Sequence, residues 1–197
     1  MHKRLVVLGT AAIMGSMLAG CFDKHDTHMA EPVSAAVHDD HVHASSEVKV
    51  QSELIDSKGS KIGVVTFTAT TDGGVKVNVD AEKVQPGAHG FHFHDTGKCE
   101  APDFKTAGAH LNTTGKKHGW LTPEGPHVGD LPNVTADANG AIHAEFTTKL
   151  VTLEKGKPNS LLKNGGTAIV LHDKADDYLT DPSGNSGDKI ACGVISG

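Results

Sequence analysis

The sequence predicts an all-β domain, an antiparallel sandwich or barrel of about eight strands. Three observations point that way. Short runs rich in Val, Ile and Thr alternate apolar with polar residues. Gly is abundant at 23 residues, and turn dipeptides fall between the runs. No segment carries the apolar stripe of an amphipathic helix.

The elements follow in chain order. Val48 to Leu54 begins in alternation. Lys61 to Thr70 is rich in β-branched residues. Asp72-Gly73-Gly74 is a hairpin signal, and Val75 to Asp80 alternates strictly, as a half-buried strand does. Gly90 to His94, Asn133 to Ala136, Ala141 to Thr147, Thr167 to His172 and Ile190 to Ile195 supply the remaining strands, with Asn139-Gly140 as a second hairpin turn. Two intervals, 95–131 and 173–189, are too long for tight connections. Loops of that length in a compact domain are usually functional.

The N-terminus reads as a targeting segment. Lys3 and Arg4 are followed by the uncharged apolar stretch Leu5 to Leu18, which suits a signal peptide and is short for a membrane span. It ends in Leu18-Ala19-Gly20-Cys21, which resembles a bacterial lipobox with Cys21 as the lipidated residue. The expected organisation is a signal peptide over 1–20, a tether over 21–46 and a folded domain over 47–197. The tether lacks any strand or helix period and holds His25, His28, His38, His41 and His43. Such a composition cannot bury a core. It reads equally as a loose metal-gathering arm or as a solvated spacer. With Cys21 lipidated, Cys99 and Cys192 remain as a disulfide pair or as two free thiols; an exported location favours the bridge. The expected location is the cell envelope, lipid-anchored and facing the periplasm or the exterior.

Composition narrows the function. A net charge of −6 argues against nucleic-acid binding, which needs a basic surface. Fourteen His beside three Cys favour a metal site built on imidazole. His92 and His94 are two apart on an expected strand, so both point to one face. The first long interval then offers His110, His118, His127 and Asp130, a set able to close a tetrahedral zinc site. His172 stands where the second long interval begins.

Six separated motifs, in order, carry a family resemblance. They are Gly90-Phe91-His92-Phe93-His94, Ala107 to Asn112, Lys117-His118-Gly119, His127 to Leu131, His172 to Asp177 and Ala191 to Ile195. Together they resemble copper/zinc superoxide dismutase over about residues 47–197. The resemblance implies an eight-stranded Greek-key β-barrel of the immunoglobulin-like sandwich class. It implies copper on His92, His94, His110 and His172, and zinc on His110, His118, His127 and Asp130, with His110 as the bridge. It further implies a disulfide between Cys99 and Cys192, a carboxylate link through Asp176 and a structural role for His89.

The implied reaction is dismutation of superoxide to oxygen and hydrogen peroxide, with copper cycling between two oxidation states and His110 carrying a proton. In an envelope protein it would protect that compartment. Lys189 stands where the family usually has an Arg. Lys keeps the guiding charge for the superoxide anion but loses the planar fork. Lys163 and Lys174 are further rim candidates. His143, outside every motif, is expected to be exposed, and Trp120 to pack the zinc loop. Two other classes compete: an envelope copper/zinc buffer without turnover, and a structural or adhesive lipoprotein. Expected partners are superoxide and a membrane reached through Cys21, with no nucleic acid, in a monomer or homodimer.

Overall fold

A computed structural model describes residues 48–197. The signal peptide, Cys21 and the His-rich tether lie outside the described residues. The strands are β1 (Lys49–Asp56), β2 (Lys61–Ala69), β3 (Val75–Ala81), β4 (Gly87–His89), β5 (Phe91–His94), β6 (Val134–Ala136), β7 (Ile142–Thr148), β8 (Thr167–His172) and β9 (Lys189–Ile195). One short 3-10 turn, Lys105–Ala107, is the sole helical element among the described residues.

Seven strands form one antiparallel sheet in the order β5-β8-β9-β1-β2-β3-β7. β4 pairs with β6 in a second, two-stranded sheet. Only Gly90 separates β4 from β5, and a hairpin at Asp137–Ala141 joins β6 to β7. The short sheet therefore closes the long one into a barrel of the Greek-key type. Asn139-Gly140 turns that hairpin with Gly140 at φ 80°, a conformation that glycine adopts without penalty.

Alternation fixes the interior. Phe67 pairs with Val77 and Val65 with Val79 across β2 and β3, all fully or almost fully buried. β8 is buried along its whole length, yet it still has two faces. Ile169 and Leu171 enter the main core with Phe91, Phe93 and Leu131. Ala168 and Val170 face outward, under a smaller cluster of Phe104, Ala107 and Cys192. The loop after β5 covers that outer face, and a disulfide between Cys99 and Cys192 holds it there, with Cα atoms 5.6 Å apart.

Three details differ from the expectation. β4 is a ninth strand, too short to show a period. A third long connection, 149–166, runs from β7 to β8 and buries Val151, Leu153 and Leu161. Trp120 does not pack the zinc loop inward. It is 45% exposed beside Leu121 at 66%, on a surface that it shares with Pro132 and Tyr178.

Candidate metal centre

The site begins with the period of β5. Phe91 and Phe93 enter the core, so His92 and His94 must project from the opposite face. The first long loop covers that face and is held to β5 by backbone pairing. The Phe93 carbonyl accepts from the Leu111 N–H at 2.8 Å, and the Phe93 N–H donates to Gly129 at 2.9 Å. Isolated bridges set His110 opposite His94 and Asp130 opposite His92. His172 arrives from β8, where its N–H donates to the Gly90 carbonyl at 2.9 Å. A bulge between Leu171 and His172 brings His172 opposite Lys189 on β9.

Two ligand sets result, and both are buried. In His92, His94, His110 and His172 the candidate donor atoms lie within 4.8 Å of one another. The same holds for His110, His118, His127 and Asp130. His110 belongs to both.

The hydrogen bonds decide which ring nitrogens face inward. His94 Nδ1 donates to the Gly108 carbonyl at 2.9 Å, and His172 Nδ1 donates to Gly187 at 3.2 Å. The Nε2 atoms of both rings are then buried without a partner, as are His110 Nε2 and His92 Nδ1. In the second set His118 Nδ1 and His127 Nδ1 are likewise unpartnered, 3.1 and 3.3 Å from Asp130 Oδ1. A single buried polar atom left without a partner costs about 1–3 kcal/mol. Six imidazole nitrogens in that condition, aimed at two points, fit a pair of metal ions. The donors suit the metals implied by the sequence: four imidazoles for copper, and three imidazoles with a carboxylate for zinc.

Charges around the sets keep them ready for a cation. Burial and the neighbouring rings push His94 well below its ordinary value and His172 down to about 3. Burial likewise lowers His110 to about 4, against the opposing pull of Asp130. These rings are neutral at physiological pH and present lone pairs. Asp130 stays ionised despite burial, because His110, His118 and His127 surround it and the N–H groups of Gly119 and His127 donate to its Oδ2. Asp176 is also held far below the usual range, against burial, by His118 and His92.

Asp176 links the two sets. His92 Nε2 lies 2.9 Å from its Oδ2, and His118 Nε2 lies 3.0 Å from its Oδ1. One carboxylate thus orients a ring in each set, as outer partners of metal-bound histidines commonly do. Asp176 is itself held by residues that sequence reasoning missed. Asn133 donates to its carbonyl and accepts its N–H, both at 2.9 Å. The Tyr178 hydroxyl accepts the Asn133 N–H at 2.8 Å, and Leu121 donates to the Tyr178 carbonyl. Gly119, at φ 107°, passes so close to the Tyr178 carbonyl that any side chain there would collide. The signal available in the sequence was Asn133-Val-Thr, whose side chain is engaged here and not displayed. His89 sits behind the site, each ring nitrogen 2.7 Å from a carbonyl, of His172 and Gln85.

Lys189 opens β9 half-buried, and its charge is among the causes that lower His94 and His172. Among the described residues it forms no ion pair. Lys163 is half-buried and Lys174 exposed. His143 is exposed and pairs with Asp80 at 2.6 Å on the far strands β3 and β7.

A closed β-barrel with two adjoining ligand sets that share one imidazole defines a binuclear metalloprotein of the copper–zinc type. The sequence model of Copper/zinc superoxide dismutase (SODC) matches residues 61–195. The chain belongs to that family. It is 47% identical over 152 residues to Superoxide dismutase [Cu-Zn] 1 of Aquifex aeolicus, covering 77% of this chain and 89% of that protein. It is 44% identical over 140 residues to the Caulobacter vibrioides Superoxide dismutase [Cu-Zn], covering 70% of this chain and 79% of the relative. Among solved structures, a double mutant of a SOD-like protein from Bacillus subtilis superposes with a TM-score of 0.73 at 38% identity, over 75% of this chain and 97% of that one.

Proposed function

We infer that this protein dismutes superoxide, with copper held by His92, His94, His110 and His172 and zinc held by His110, His118, His127 and Asp130. The observation that carries the assignment is the set of buried, unpartnered ring nitrogens, divided between two sets that meet at His110. Copper held by these four rings would supply the one-electron redox chemistry that the dismutation of superoxide needs.

The chain's own residues do the rest. Gly108 and Gly187 fix the rings of His94 and His172, so that both Nε2 atoms face the copper position. Asp176 fixes His92 and His118. Asp130 holds the Nδ1 side of His110 at 3.0 Å, so its Nε2 can take up or release a proton while the ring stays in place. Lys189 draws the substrate anion toward this face of a net-negative protein. Residues 1–20 direct export, Cys21 carries the lipid, and 21–46 tether the domain, so that it protects the envelope.

The test is elemental analysis of purified protein loaded with both metals, alongside a superoxide assay. One copper and one zinc per chain with turnover is expected. Saturation by zinc alone, without redox-active copper, would leave a metal buffer in place of an enzyme. Mass spectrometry of the membrane fraction tests Cys21: a lipid-sized increment lost in Cys21→Ser is expected.

A further inference from the structure

The register of the sheet gathers several segments at one end of the barrel. Lys49 pairs with Thr68, Thr68 with Lys76, and Lys76 with Thr147. This row crosses from β1 to β7 in three strand spacings, about 14 Å. The chain enters β1 just before Lys49, and the 149–166 connection leaves β7 just beyond the row. That connection runs into Thr167, which pairs with Ile195 on β9, and the C-terminal Gly197 passes close to the Leu162 side chain. The entrance to the described domain and the 149–166 connection therefore share one end.

That end is basic. Residues 149–166 hold four lysines and a single acid, Glu154. A depression of about 270 Å³ opens there, lined by Lys155, Lys157, Pro158, Leu162, Lys163 and Asn164. Lys155 and Lys157 are exposed and Lys163 is half-buried. Lys157 lies 3.4 Å from Glu154 in an exposed pair, while Lys155 and Lys163 form no ion pair among the described residues. Lys49 adds an exposed charge on the row itself. The chain as a whole is net negative at −6, so this cluster runs against the overall charge.

We propose that this lysine-lined end is a docking surface for anionic lipid headgroups. Its place beside a bilayer follows from the lipid-anchor reading, on which the proposal rests. With lipid on Cys21, only the 26 residues 22–47 separate the membrane from the entrance at Val48. A chain of that length without fixed structure spans roughly 30 Å on average. The end that carries the entrance is thus kept near the headgroups, and its lysines meet them at a high effective concentration. Lysine suits such a surface: the ammonium is attracted to phosphate, and the aliphatic stem covers apolar neighbours such as Pro158 and Leu162. Docking would fix which end of the barrel faces the bilayer.

The test uses the metal-loaded chain of residues 22–197, which keeps the whole core and both ligand sets but lacks the lipid. At low salt it should sediment with vesicles of phosphatidylglycerol and phosphatidylcholine, and not with phosphatidylcholine alone. Each lysine near an anionic bilayer strengthens binding roughly five-fold. The triple variant Lys155→Gln, Lys157→Gln, Lys163→Gln should therefore bind about a hundred-fold more weakly. Added salt should narrow that gap. Lys58→Gln, Lys61→Gln, Lys83→Gln is the control. It removes the same charge at the opposite end of β1, β2 and β3, and should bind as the parent does.

Equal loss in the two triple variants would reduce the effect to net charge and overturn the proposal, as would parent-like binding by the first. At matched ionic strength, phosphate should compete no better than chloride. Selective competition by phosphate would make the depression a pocket for the free anion and not a lipid surface. If Cys21 carries no lipid in the membrane fraction, the anchor reading fails, and vesicle binding still decides whether this end recognises anionic headgroups.

Discussion

In the metal-free protein His118 keeps its proton far above the ordinary range. Burial pushes it down, but the Asp130 carboxylate beside its Nδ1 and the hydrogen bond from its Nε2 to Asp176 push it up further, to about 9. That raised value means the protonated ring stabilises the metal-free fold below the ordinary histidine range, a contribution lost as pH rises through about 9. Zinc needs the unprotonated ring, so below that pH it must displace one proton from His118. Zinc affinity of copper-free protein should therefore rise up to about tenfold per pH unit from pH 7 to about 9, then level. Chelator competition across that range checks it, and a flat profile would show that no proton is exchanged at the site. Lys189 acts at the same scale through charge. Lys189→Glu should lower the second-order rate more than Lys189→Ala at low salt, and added salt should narrow the gap. Lys189→Arg should match or exceed the parent, because its fork adds directed hydrogen bonds to the same charge. Equal rates for fully metallated Ala and Glu variants would remove Lys189 from substrate guidance.

At the scale of elements, the loop after β5 is the part most dependent on a cross-link. The Cys99–Cys192 bridge spans 93 residues and roofs the cluster of Phe104, Ala107, Ala168 and Val170. Closing so long a loop stabilises by roughly 4–5 kcal/mol in the chain-entropy model. Cys99→Ser should shift the denaturant midpoint of metal-free protein downward by a corresponding amount. An unchanged midpoint would mean that loop packing alone suffices. The same elements show what the sequence made legible. Strict alternation announced β3, and the alternating Phe and His of β5 announced which face carries ligands. β4 stayed hidden because three residues, two of them exposed, show no period. The 149–166 connection hid because Val151, Leu153 and Leu161 bury from turns, where spacing carries no face information. Asn133 could not be read as a support for Asp176, because it grips backbone atoms 43 residues away.

For the whole molecule, both ligand sets draw only on residues within 92–172, so turnover should not require the His-rich segment. Deleting residues 22–46 should leave the rate of fully metallated protein unchanged while slowing copper uptake at limiting metal. Loss of activity in the fully loaded truncation would place that segment in the catalytic unit.

The alternation of β5 has one more consequence. Phe91 and Phe93 oppose Leu171 and Ile169 on β8, while His92 and His94 point the other way. Sliding the strand by one residue would exchange the two faces, driving imidazoles into the oily interior and benzene rings into the ion cage. A chain that zips up out of step forfeits its cofactors. Metal occupancy then works as a proofreading mark, present on molecules whose strands engaged in the correct frame and missing from those that did not.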